Sequence, residues 1–186
     1  MSRKTIHIAL AVRTDGMAPG IHSMIDLAAT VVEPGLSRRF ETRLMPVSDQ
    51  FNRDHLARQK LSREQTYQFP AADGSTMAFY RWFNAIAPEI ERFRGLDVIC
   101  WAFEPSHSYG WISHYLHRFV GRCPIAPTVR RIGDYRAGLT GIFEDPDDWR
   151  IVPDMRASGE ADLAAGALLA LPGITIDRPA PALMAV

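Results

Sequence analysis

The chain of 186 residues has no net charge, only two cysteines and no long hydrophobic run. Equal numbers of basic and acidic residues, 21 each, exclude the strong positive field of a protein that binds nucleic acid over its whole surface, although arginines cluster locally. For Cys100 and Cys123 we expect buried, reduced thiols, with a disulfide as the alternative. No apolar run approaches the ~20 residues of a bilayer span, and no signal-peptide pattern precedes the first strand. We therefore expect a cytoplasmic protein without a membrane partner.

The composition that remains is that of an ordinary globular protein, 47% hydrophobic and 23% charged. It predicts one domain that is large enough to bury its own core. We place this domain at residues 1–173 and a Pro/Ala-rich C-terminal tail at residues 174–186. The tail is either a loose terminus or a strap that docks on a partner.

Three strands are predicted in the first quarter of the chain. Apolar residues occupy alternate positions at its start, which is the period of a strand: Ile6, Ile8, Leu10 and Val12. After a turn that contains Asp15-Gly16 and Pro19-Gly20, residues 25–32 form an almost continuous apolar run, typical of a strand buried on both faces. Residues 38–44 alternate again, so the three strands form an antiparallel meander.

Helices and buried strands alternate in the remainder. We predict a helix capped by Ser75, with aromatic residues at helical spacing and a kink or break at Pro88. The other predicted elements are a central strand at 95–102, a helix at 111–120, a short strand and an Asp134-initiated helix within 129–139, and a last helix at 156–171.

The first hairpin resembles the first motif of the DEDD-type (DnaQ-like) 3'-5' exonucleases. Members read as a strand, D-x-E-T-x-G, a turn that often contains P-G, and an apolar strand. The residues in register with this pattern are Thr14, Gly16, Pro19, Gly20, Ile25, Asp26, Leu27, Ala28, Ala29 and Val31. From Ile6 to Leu171, the resemblance implies a ribonuclease-H-like α/β fold. Its mixed central sheet has three antiparallel strands followed by parallel ones and is flanked by helices.

The other two motifs of the family match more weakly. The second motif, W-A-x-G-x-x-F-D-x-x-x-L, is met by Trp101-Ala102, with Tyr109 at the aromatic position and Gly110 at the Asp. In the third motif, H-x-A-x-x-D, Asp162 takes the place of the Asp and Ala157 that of the His.

The resemblance implies two-metal phosphodiester hydrolysis, in which carboxylates hold two Mg²⁺ or Mn²⁺ ions about 4 Å apart. In this register the four carboxylate positions are Ala11, Arg13, Gly110 and Asp162, and the position of the base is Ala157. One carboxylate cannot hold two divalent ions, and a guanidinium that stays protonated repels them. We therefore expect no catalytic residues and no metal cofactor.

Two alternatives remain open. The first is an active Mg²⁺- or Mn²⁺-dependent exonuclease with relocated ligands, for which Asp15, Glu104 and Asp162 are the candidates and Asp134 and Glu160 are also available. The second is an unrelated α/β domain with a coincidental pattern.

Arg13 has two possible uses in a cleft that lacks metals. It binds the phosphate of a nucleic acid without cutting it, or it forms an internal ion pair with Asp162 that plugs the vacated site. The candidate nucleic-acid-binding residues are Arg13, Arg53, Arg58, Lys60, Tyr109 and Arg156. For the basic residues of the 52–68 region the alternative is a solvated helical face.

The function we expect is that of an inactive exonuclease-like subunit that binds single-stranded nucleic acid or serves as a scaffold in a larger assembly. The neutral charge favours protein partners for at least part of this role.

Overall fold

A single mixed sheet organises the chain, of which the computed structural model describes residues 4–146, 149 and 155–174. Its strands are β1 (Thr5–Thr14), β2 (Met24–Val31), β3 (Arg39–Arg43), β4 (Asp97–Ala102) and β5 (Arg130–Arg131). They lie in the order β3-β2-β1-β4-β5. The first three pair antiparallel, and β4 runs parallel to both β1 and β5. This topology confirms the predicted exonuclease-like α/β fold.

Helices cover both faces of the sheet. They are α1 (Arg53–Arg58), α2 (Arg63–Thr66), α3 (Ala72–Ile86), α4 (Glu89–Phe93), α5 (Pro105–Val120), α6 (Ile132–Thr140) and α7 (Ala157–Ala170). Pro88 separates α3 from α4, so the structure shows a break at this proline and not a kink within one helix. None of the helices in these ranges combines the length and the apolar character that a bilayer crossing needs.

Three predicted helix starts are wrong. The helix assigned to a Ser75 cap begins at Ala72, so Ser75 is buried within α3. Helix α5 begins at Pro105 rather than at residue 111, because proline fits the first turn of a helix, where its missing N–H is not needed. Asp134 lies in the first turn of α6 and bonds to Arg131, which is itself the N-cap residue.

The alternation along β1 assigns its side chains to two different cores. Ile8, Leu10 and Val12 pack on one side, together with residues of α3 and α5. Ala9 and Ala11 face the other side, where they meet α7. Since successive side chains of a strand point to opposite faces, Arg13 emerges on the α7 side at the end of β1.

Helix α7 lies directly on the sheet through a cluster of four alanines. Ala11 and Ala28 are cross-strand partners, and they pack with Ala157 and Ala161 of the helix. All four are at most 1% exposed. The N-terminus of the helix is fixed by Asp26 of β2, which accepts hydrogen bonds from Arg156 Nε at 3.1 Å and from the Ala157 N–H at 3.3 Å.

The two cysteines lie in different environments. Cys100 is buried in β4, where desolvation raises the pKa of its thiol to about 12. Cys123 is half-buried, and both carry free thiols. Of the predicted tail at 174–186, only Ile174 lies within the described residues.

A buried histidine makes stability depend on pH. Trp101 Nε1 donates to His7 Nδ1 at 2.9 Å, and burial, followed by the charge of Arg130, lowers the pKa of His7 below its ordinary 6.5. The stabilisation from neutral His7 is therefore present above pH 6.5 and is lost as the pH falls below it.

We expect His7→Gln, which keeps an acceptor for Trp101, to flatten the dependence of the unfolding free energy on pH between 7.5 and 5. Urea denaturation measures this.

The control is His117→Gln, because His117 is exposed on α5. It should retain the pH dependence of the wild type. Equal pH dependence in wild type and His7→Gln would exclude His7 as its source.

Candidate functional site

A cavity of about 470 Å³ opens where β1 and β4 end. Open α/β sheets place their ligand sites at the carboxyl ends of the parallel strands. The polar residues of this cleft come from four elements and from the segment that follows β4. They are Arg13 and Thr14 of β1, His55 and Arg58 of α1 with its C-cap residue Gln59, Glu104 after β4, His107 and Ser108 of α5, and Glu160 of α7.

Arg13 lies across the inner end of the cleft. Its Nε donates to the Met155 carbonyl at 2.8 Å, and its Nη1 forms an ion pair with Glu160. The side chains of Arg13 and Glu160 are only 16% and 6% exposed. The ion pair therefore joins the end of β1 to α7 in a partly buried environment, where opposite charges interact more strongly than in water.

The protonation of Glu160 depends on its partner. Desolvation raises the pKa of Glu160, the charge of Arg13 and its hydrogen bond lower it, and the nearby Glu104 raises it further. Without Arg13, two effects that disfavour the carboxylate would remain. The pKa of Glu160 is raised overall by its burial, and Arg13 opposes this shift by favouring the carboxylate.

The predicted internal pair between Arg13 and Asp162 is wrong. Asp162 accepts a hydrogen bond from Thr30 Oγ1 at 2.7 Å and faces Arg39 at 3.3 Å, on the β2–β3 side of the helix. Glu160, two residues earlier, takes the position beside Arg13. A rotation of about 200° separates residues i and i+2 of a helix, so the two carboxylates point in different directions.

Asp15 is also held away from the cleft. It is fully buried, accepts a hydrogen bond from the Ser23 N–H at 2.5 Å and pairs with Arg63 at 2.6 Å. Burial raises the pKa of Asp15, and Ser23 and Arg63 oppose that shift. The Arg63 guanidinium is stacked between the rings of Phe51 and Tyr67, at 4.9 and 4.8 Å from their centroids. Asp15 is thus a structural partner of Arg63.

The structure therefore separates the three predicted relocated ligands, Asp15, Glu104 and Asp162. Of these, only Glu104 lines the cleft. Among the described residues no group of three or more His, Cys, Asp or Glu side chains is placed to hold a metal ion. The donor chemistry explains this: Ala11 offers no oxygen, and Glu160 is bound by a guanidinium. These residues do not fit the two-metal centre that the fold implies.

The predicted nucleic-acid-binding residues lie in several places. Arg13 and Arg58 line the cleft, whereas Arg53, Lys60 and Tyr109 do not. Tyr109 packs against the α3–α5 core. Arg156 forms an ion pair with Asp26 at the start of α7.

Sequence reasoning missed four polar residues of the cleft, which are His55, Gln59, His107 and Ser108. His55 of α1 and its C-cap residue Gln59 are four residues apart, so they share one face of the helix. This spacing does not tell which part of the protein that face meets. His107 was hidden because the predicted start of α5 was too late. Burial lowers the pKa of His107, which favours its neutral imidazole.

Comparison with known proteins agrees with this fold, although no family model matches the chain. The chain is 29% identical over 127 residues to the 3'-5' DNA exonuclease Cap18 of Escherichia coli. The aligned part covers 65% of this chain and 62% of that protein, so the chain spans about three fifths of the relative's length.

Solved exonuclease structures share the fold at low identity. The nuclease domain of 3'hExo, a DEDDh family member bound to rAMP, superposes with a TM-score of 0.59 at 9% identity, over 88% of this chain and 90% of that one. E. coli Exonuclease I in complex with a dT13 oligonucleotide gives 0.61 at 12% identity, over 90% of this chain and 40% of that one. The resemblance of this chain to the DnaQ-like 3'-5' exonucleases is thereby confirmed.

Removal of one partner of the Arg13–Glu160 pair should be costly. Arg13→Met leaves a buried carboxylate without its counterion, and we expect it to lower the unfolding free energy by about 3 kcal/mol at pH 8. The cost should shrink toward pH 5, because Glu160 can then become neutral. Urea denaturation at both pH values measures it.

The double variant Arg13→Met/Glu160→Met should recover most of the loss, because it leaves no isolated charge. The exposed pair of Arg122 and Glu89 is the matched control, and Arg122→Met should change stability by less than about 1 kcal/mol. A pH-independent loss in Arg13→Met would show that its packing, and not its charge, matters.

Proposed function

We propose that this chain is an exonuclease-fold protein that holds the end of a single DNA strand in its cleft without hydrolysing it, as part of a larger assembly. The observation that carries the proposal is the Arg13–Glu160 ion pair. In the register set by Thr14 and Gly16, Arg13 stands where the family has the Glu of its first motif. The fixed cation of Arg13 thus stands at the position of a metal ligand. Its ion pair with Glu160 also makes that carboxylate unavailable to a metal ion.

The position of the first Asp supports the same proposal. Ala11 is fully buried in the four-alanine cluster, so α7 lies where a carboxylate and its metal ion would need space. The loss of oxygen donors is therefore coupled to packing. A single substitution would not rebuild such a site.

Binding of DNA is supported by the shape and chemistry of the cleft. A volume of about 470 Å³ falls within the usual range of ligand pockets, ~300–1,000 Å³. Arg58 is exposed at its rim and can reach a backbone phosphate. The relative that shares 29% sequence identity is a DNA exonuclease, which favours DNA over RNA as the strand.

Protein contacts are supported by the neutral charge and by apolar surface. Phe93 of α4 and Phe143 after α6 are both 85% exposed, so neither aromatic ring is buried within this chain and both are available for contact with another protein.

We expect Phe93→Ser or Phe143→Ser to reduce co-purification of partner proteins while DNA binding is unchanged. Retention of every partner by both variants would argue against the assembly role.

One observation favours a second function, that of an active metal-dependent exonuclease. Glu104, Glu160 and His107 line the same cleft, and a displaced Arg13 would free Glu160. Mn²⁺-dependent degradation of a labelled strand that disappears in Glu104→Gln and in Glu160→Gln, but persists in the control Asp162→Asn, would establish this function instead.

The test of the first proposal is binding and hydrolysis on the same 5'-labelled strand, whose 3' end is free. We expect binding in EDTA, no shortening of the strand with Mg²⁺ or Mn²⁺, and no tight metal site by calorimetry. Arg58→Ala should weaken binding about three- to tenfold, since it removes one charged phosphate contact. Fluorescence anisotropy at two salt concentrations measures it.

Arg53→Ala is the matched control, because Arg53 is an exposed arginine of the same helix that does not line the cleft. It should bind like the wild type. Equal losses in both variants would indicate a diffuse electrostatic contact, and absence of binding would refute the proposal.

A further inference from the structure

A second, smaller cavity lies on the other side of Arg13. Its volume is about 30 Å³, and it shares Arg13 and Gln59 with the cleft. A water-sized group needs ~10–15 Å³ by this measure, so the cavity has room for about two such groups. Arg156, whose side chain is 41% exposed, lies at its edge and connects it to the surface.

Three arginines border this small cavity: Arg13, Arg43 and Arg156. Asp26 is the one carboxylate among its lining residues, and its oxygens already accept from Arg156 and from the Ala157 N–H. Outside the lining, Glu160 pairs with Arg13, and Glu41 lies 3.7 Å from Arg156. Arg43 is therefore the lining cation that no carboxylate of the described residues meets at ion-pair distance, and it is the one best placed to attract an anion.

Two of the arginines have donors left over. Arg13 Nη2 is buried and has no hydrogen-bond partner among the described residues, while Nε and Nη1 are both engaged. The Arg43 guanidinium lies 4.9 Å above the ring of Phe69, and in the described ranges it forms no ion pair with a carboxylate. Unsatisfied buried donors are costly, and an oxyanion would satisfy them.

We propose that the cavity between Arg13, Arg43 and Arg156 is an oxyanion site that takes the oxygens of a phosphate group. This inference extends the proposed function, because a strand whose end lies in the cleft would present a backbone phosphate to the neighbouring cavity. Free inorganic phosphate has the same chemistry. The experiment therefore measures the two sources separately.

Inorganic phosphate is the first probe, with sodium chloride at matched ionic strength as the reference. A ligand that binds only the folded state raises its melting temperature. We expect phosphate to raise the melting temperature of the wild type more than chloride does. Arg43→Met, which can still pack on Phe69, should weaken phosphate binding about tenfold by calorimetry.

Arg39→Met is the matched control on the same strand, since Arg39 does not line the cavity. It should bind phosphate like the wild type. Arg43→Lys keeps the charge but not the planar fork, so it should restore only part of the affinity. A phosphate affinity that is the same in Arg43→Met and the wild type, or an equal loss in Arg39→Met, would overturn the site.

The same variants are then compared for single-stranded DNA. Weaker DNA binding in Arg43→Met than in Arg39→Met supports a backbone phosphate as the occupant. If phosphate binds through Arg43 but the wild type does not bind DNA, the oxyanion site is supported and the proposed function fails. If DNA binds normally in Arg43→Met and phosphate shows no effect, the proposed function stands and this site is refuted.

Discussion

The close contact between α7 and the sheet is the constraint from which the rest of the site follows. Four methyl groups, from Ala11, Ala28, Ala157 and Ala161, separate the helix from β1 and β2. Larger side chains would hold the helix farther out. Because it lies so near, Glu160 reaches Arg13, and Asp26 reaches the first N–H of the helix.

Charge in this protein is used to join elements. Arg13 with Glu160 connects β1 to α7, Arg63 with Asp15 connects α2 to the turn after β1, and Arg156 with Asp26 connects α7 to β2. Each pair includes a carboxylate that is at most 7% exposed. Hard cations need carboxylate oxygens that are free to coordinate, and these oxygens are already committed to guanidinium groups.

The sequence allowed the sheet to be predicted because its signals are local. The alternation from Ile6 to Val12 and the apolar run after Ile25 determine both the strands and the faces they present. The sequence does not predict which side of α7 faces the sheet. Alanine and leucine occur on nearly every side of this helix, so it has no single apolar face. The expected pair of Arg13 with Asp162 rested on the place of Asp162 in the third motif, and no apolar face was there to show that Glu160 is the residue that points toward Arg13. Contacts such as that of Asp15 with Arg63 depend on the path of the loop between β3 and α3, for which the sequence gives no distance.

The stacking of Arg63 between Phe51 and Tyr67 has a consequence for the kinetics of the cleft. Together with the Asn52 N–H bond to the Asp15 carbonyl and the Gln59 side-chain bond to the Thr14 carbonyl, it fixes the helix that forms one wall. Fixing a loop residue costs ~1–2 kcal/mol of conformational entropy, and here that cost is met during folding. A ligand would therefore meet a rigid, preorganised wall, and its association rate would be set by encounter and desolvation instead of by loop closure.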